Sequence, residues 1–209
     1  MKIGIGKESI EGDLVIPEKA IGLVIFAHGS GSSRHSPRNQ FVAKRLQFEK
    51  IATLLFDLLT LSEEKIDDVT RELRFDIPFL SKRLLLATSH AEKEISLPIG
   101  YFGASTGAAA ALMAAASKGM AIRAVVSRGG RPDLAGRSLR EVASPTLLIV
   151  GSLDGEVIEL NREAFEKLKC EKKMEIIEGA SHLFEEPGTL EKAASSAVSW
   201  FVSHFQSQK

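Results

Sequence analysis

Gly103-Ala104-Ser105-Thr106-Gly107 decides how this chain is read. It follows the apolar run Ile99 to Phe102 and opens the alanine-rich run Ala108 to Ala116, so the pattern G-x-S-x-G falls between a strand and a helix. A turn that tight forces its apex residue into a strained backbone conformation, and side chains two positions to either side would collide. Glycine at both places removes the collision. The Ser105 hydroxyl is lifted clear of the sheet, while the next amide and the helix start face any negative charge that forms above it.

Outward from this stretch, short apolar runs alternate with longer helical patterns, the rhythm of crossover units in a mostly parallel sheet. Residues 22–27 (GLVIFA) are continuously apolar, as in a strand buried on both faces. Similar runs recur at 51–56, 98–102, 122–127, 146–150 and 173–177, and residues 3–9 and 13–16 read as an opening pair of strands joined by Glu11-Gly12. Helices are predicted over 39–49, 71–92, 106–118, 133–141, 156–168 and 189–205. The connections are short, with no room for an inserted cap, and the whole chain, 1–209, reads as one α/β domain with about eight strands.

Ligands of such sheets bind beyond the carboxyl ends of the strands, and there the chain concentrates its chemistry. After 22–27 comes His28-Gly29-Ser30-Gly31-Ser32-Ser33-Arg34, small enough for its backbone to approach a reacting carbonyl. The Ser30 amide, paired with that of Thr106, is the expected oxyanion hole; a plain Gly/Ser turn is the alternative. A phosphate cradle is disfavoured, because Arg34 occupies the third glycine position of G-x-G-x-x-G. A serine nucleophile needs a base, itself oriented by an acid. Asp154 follows the strand 146–150 and His182 follows 173–177, in the order serine, acid, histidine. Taken singly, Asp154 is also a natural helix cap, and His182 a surface histidine. Asp57, at the end of 51–56, is the reserve acid, and His28 is read as shaping the oxyanion loop.

With 27 basic and 27 acidic side chains the formal net charge is zero, which gives no general electrostatic reason to bind nucleic acid or anionic membrane. No apolar run approaches a membrane span or a signal peptide, so the expected location is cytoplasmic. The lone Cys170 excludes an internal disulfide. Metal-binding spacings are missing, and neither metal nor cofactor is expected.

Four segments, HGSGSSRHSPRN (28–39), YFGASTGAAAAL (101–112), the Asp154 loop and GASHLFEEPG (179–188), resemble the α/β-hydrolases, specifically the dienelactone-hydrolase-related branch. The resemblance covers nearly the whole chain. It implies a hydrolase core without a cap, with Ser105, Asp154 and His182 as triad, acting on a small carboxylic ester or lactone through an acyl-enzyme. One departure matters: dienelactone hydrolase itself carries cysteine where this chain has serine, so the lactone substrate does not carry over. An acyltransferase with the same triad, or a binding protein on the same fold, are the alternatives. Arginines crowd the expected mouth, Arg38 among them, and Arg34 or Arg128 is the candidate anchor for an anionic acyl group beside Ser105, with His35 a further candidate substrate contact. The plainer reading pairs Arg128 with Asp133 or Asp76.

Overall fold

The computed structural model describes residues 1–206. Its centre is an eight-stranded sheet in the order β1-β2-β4-β3-β5-β6-β7-β8. The strands are β1 (Lys2–Ile5), β2 (Glu8–Val15), β3 (Gly22–Ala27), β4 (Ile51–Phe56), β5 (Ile99–Ala104), β6 (Ile122–Arg128), β7 (Thr146–Gly151) and β8 (Lys172–Ile177). The first two run antiparallel to their neighbours and the other six are parallel. Every residue of β3, β4, β5 and β7 is buried, which is why these strands are continuously apolar rather than alternating.

Six α-helices cover the sheet: α1 (Pro37–Phe48), α2 (Leu61–Thr70), α3 (Ile77–Glu94), α4 (Thr106–Lys118), α5 (Gly155–Lys167) and α6 (Thr189–Gln206). One core layer joins Val24, Phe26 and Phe102 to Val42 and Leu46 of α1 and Ala197 and Phe201 of α6. The opposite layer joins Leu23, Ile25 and Tyr101 to α3, α4 and α5 through Leu84, Ala111 and Ala164. The helices leave no separate cap over the sheet, and among the described residues no helix is long and apolar enough to cross a membrane.

The opening of the chain differs from the expectation. The turn between the first two strands is Gly6-Lys7, with Gly6 at φ 59°, whereas Glu11 and Gly12 lie inside β2. Gly12 pairs with Phe56, whose β-carbon would stand 3.1 Å from any β-carbon placed there. The expected helix over 71–92 is also divided. Asp76 caps α3 by accepting the Phe79 N–H at 3.0 Å, and Pro78 stands in the first turn, where it costs no hydrogen bond. Before it lie a 3-10 turn, Leu73–Phe75, and α2, whose start is a capping box between Thr60 and Glu63. The predicted helix over 133–141 is a 3-10 segment, Pro132–Glu141, broken at Gly136.

The topology reverses at β3. The chain leaves β3 for β4 on one side and later returns as β5 on the other, so a crevice opens between the carboxyl ends of β3 and β5. Ser105 and the loop after β3 meet at that crevice.

Candidate active site

The turn at Ser105 is strained and has room for nothing larger. Ser105 has φ 50° and ψ −123°. A β-carbon on Gly107 would stand 2.2 Å from the Ala27 carbonyl oxygen, and one on Gly103 would stand 2.4 Å from the Ala108 α-carbon. Both collisions are with backbone, which cannot swing aside. Neighbouring chain straps the turn in place: the Ser105 N–H donates to the Arg128 carbonyl at 3.4 Å, and the Ser105 carbonyl accepts from Arg131 N–H at 3.0 Å and Ala108 N–H at 3.1 Å.

The carboxylate of Asp154 accepts from His182, with Nδ1 and Oδ2 2.6 Å apart. Asp154 stands at the N-cap of α5, yet its side chain makes no capping bond. Its carboxylate serves the imidazole rather than the helix. The two loops are tied together, since the Leu153 N–H donates to the Ala180 carbonyl at 2.9 Å and the Gly179 N–H to Ser152 Oγ at 2.8 Å. Glu186 closes the histidine loop by accepting the Ser181 N–H at 3.0 Å, and these bonds hold its carboxyl below the usual range. Ser105 and His182 line one cleft of about 250 Å³, together with Gly29, Ser30, Ser32, Arg38, Asn39 and Arg128.

Two amides near Ser105 are oriented through the carbonyls of their own peptide units. His28 is buried, and its Nε2 accepts the Leu58 N–H at 3.1 Å. The proton therefore sits on Nδ1, which donates to the Gly29 carbonyl at 2.9 Å. In a trans peptide the N–H points opposite the carbonyl, so this bond fixes the direction of the Ser30 amide. Likewise, the bonds from Arg131 and Ala108 to the Ser105 carbonyl fix the Thr106 amide, which as the first residue of α4 has no acceptor within its helix. The Gly29–Ser32 loop passes close to the serine: a β-carbon on Gly29 would stand 3.0 Å from that of Ser105. Thr106 and Ser30 also border a smaller cavity of about 80 Å³ behind this loop.

The remaining candidates lie elsewhere or are engaged. Arg34 is ion-paired with Asp57, with Glu11 at 2.7 Å and with Asp13 at 3.6 Å, so its charge, and that of the reserve acid Asp57, are already neutralised. His35 is exposed and does not line the cleft. Arg128 does line it, and neither suggested acid pairs with it: Asp133 takes Arg131 in a bidentate pair at 2.9 Å, and Asp76 caps α3. Cys170 lies just before β8, at the opposite end of the sheet, and burial raises the pKa of its thiol.

One supporting residue was not foreseen. Asn161 of α5 is fully buried, and its Nδ2 donates to the Gly130 carbonyl at 2.9 Å and to that of Val157 at 2.8 Å. It anchors the segment 128–131 that straps Ser105. Its only trace in the sequence is an amide in an otherwise ordinary amphipathic helix, so the contact 31 residues away is invisible there.

The family model for the alpha/beta hydrolase domain matches residues 20–206. The chain belongs to the α/β-hydrolase family. A dienelactone hydrolase from Anabaena variabilis ATCC 29413 is 54% identical, with a TM-score of 0.94 over 98% of this chain and 96% of that one. Est1E from Butyrivibrio proteoclasticus shares the fold at a TM-score of 0.82 and 16% identity, over 98% of each chain. A Mycobacterium tuberculosis (strain ATCC 25618 / H37Rv) protein that carries a provisional phosphoribosyl transferase name is 54% identical over 95% of this chain, which spans only 45% of that protein. This α/β-hydrolase chain thus corresponds to about half the length of its mycobacterial relatives.

Proposed function

We propose that this α/β-hydrolase is a serine hydrolase of small carboxylic esters, the whole of 1–209 acting as one catalytic domain in the cytoplasm. The observation that carries the reading is the short His182–Asp154 contact, made by an acid that forgoes its helix cap, in a cleft shared with the strained Ser105. His182 takes the proton of Ser105 as Oγ attacks the ester carbonyl, and Asp154 keeps the imidazole in the tautomer whose Nε2 is free to do so. The Ser30 and Thr106 amides stabilise the oxyanion, each such donor being worth roughly 3 kcal/mol. His182 returns the proton to the departing alcohol. Water, deprotonated by the same imidazole, then releases the acid from Ser105.

The transferase name belongs to relatives more than twice as long as their matching part, and in the matching part Ser105 shares its cleft with His182, which Asp154 holds. The 54% identity with a dienelactone hydrolase supports ester or lactone cleavage; serine at the elbow favours the ester. Turnover of 4-nitrophenyl acetate by the parent and by Asp154→Asn tests the reading. The variant should lose on the order of 10³ to 10⁴ in kcat while keeping its fold. Equal rates would remove Asp154 from the mechanism.

A further inference from the structure

Arg128 is the one feature of the cleft that the triad chemistry leaves unexplained. It ends β6 only 5% exposed, and among the described residues it has no ion pair. Its Nε is fully buried without a hydrogen-bond partner. Its Nη2 reaches only Asn39 Oδ1, at 3.4 Å, and its guanidinium lies 5.5 Å from the centre of the Phe184 ring. A buried guanidinium without a carboxylate is unfavourable, and burial, helped by the nearby charge of Arg38, pushes its pKa down to about 10.

A second observation, independent of Arg128, points the same way. The N-terminus of the twelve-residue α1 borders the same cleft through Ser36, Arg38 and Asn39. Its first turn holds no acid; instead it carries Arg38, a cation at the positive end of the helix dipole, where an anion would be favoured. Among the described residues Arg38 pairs only with the exposed Glu185, at 3.2 Å. Two arginines and a helix N-terminus therefore converge on the space beside Ser105, while the acids that might have filled it are engaged elsewhere.

We infer that Arg128, Arg38 and the N-terminus of α1 form an anion subsite, so that the ester this enzyme cleaves carries a carboxylate or phosphate group held beside the reacting carbonyl. This rests on the hydrolase reading and deepens it. The guanidinium of Arg128, whose Nε is closed off from solvent, presents its Nη–H groups as a fork to two oxygens, and Asn39 orients the fork through Nη2. The anion supplies the counter-charge that the described residues do not.

The test compares mono(4-nitrophenyl) glutarate with a neutral 4-nitrophenyl ester of the same chain length, in the parent, Arg128→Met and Arg128→Lys. Inorganic phosphate is added as competitor, and melting temperatures are followed with and without it. The parent should favour the charged ester by roughly tenfold or more in kcat/KM. Arg128→Met should bring that ratio close to one, and Arg128→Lys, which keeps charge without the fork, should fall between. Phosphate should raise the melting temperature of the parent and not that of Arg128→Met. Arg128→Met without ligand should melt no lower than the parent, since it removes an uncompensated buried charge; a merely structural arginine would give the reverse. Competition and stabilisation by phosphate without preference for the glutarate ester would assign the subsite to phosphate-bearing substrates. A ratio near one in the parent, with no effect of phosphate on rate or melting, would overturn the subsite. Failure of Ser105 to react with a fluorophosphonate would instead remove the hydrolase reading, while the phosphate melts would still report on the subsite.

Discussion

At the scale of single residues, the serine proposed as nucleophile depends on residues that never touch a substrate. Gly107 has no latitude, because any β-carbon there meets the Ala27 carbonyl at 2.2 Å. Gly107→Ala should therefore cost about 2 kcal/mol or more in chemical denaturation, together with most of the activity; an unchanged midpoint would mean that the turn relaxes freely. His28 carries an acid sensitivity. Burial holds its pKa below the ordinary 6.5, so below pH 6.5 the unfolded chain binds more protons than the folded one. The stability that the neutral ring contributes is present in full above that pH, and is lost as pH falls through the depressed value. The melting temperature should drop from pH 7 to pH 5, and drop less in His28→Gln; parallel slopes in the two proteins would show that His28 is not the source. Protonation would also place a hydrogen on Nε2 against the Leu58 N–H and loosen the peptide that aims the Ser30 amide.

At the scale of elements, legibility in the sequence followed burial. Three of the strands that carry the site, β3, β5 and β7, could be read because they are buried throughout, whereas β8, with only Ile177 buried, was read without that help, and the order Ser105, Asp154, His182 places each group at a strand end. The helix α2 could not be read from periodicity. Only Asp67 is buried in it, while Leu61, Ile66 and Val69 face outward, so no apolar stripe marks it; the Thr60-x-x-Glu63 cap was its one signal. Thr60→Ala should cost about 1 kcal/mol in urea melts, and the loss should be confined to stability if α2 is only a surface layer. Arg128 was legible as a candidate substrate contact, but its lack of an acid partner was hidden, as was the role of Asn161, because both depend on which distant groups are absent or present around them. Asn161→Ala leaves the buried Gly130 carbonyl without its donor, at about 1–3 kcal/mol. Because that carbonyl belongs to the strap on Ser105, kcat should fall more than KM changes in steady-state kinetics; a rise in KM alone would separate Asn161 from the elbow.

At the scale of the whole molecule, the sheet gathers chemistry from five chain segments by reversing direction at β3. Ser105, Asp154 and His182 follow β5, β7 and β8, the loop proposed for the oxyanion follows β3, and Arg128 ends β6. No single segment holds a site, and only the order of strands brings these ends to one edge. The proposed activation of Ser105 at this edge is read by intact-protein mass after incubation with a small fluorophosphonate. One adduct is expected on the parent, with fluoride displaced by Ser105 Oγ, and none on Ser105→Ala. A folded parent that stays unmodified, or a variant that is modified equally, would contradict it.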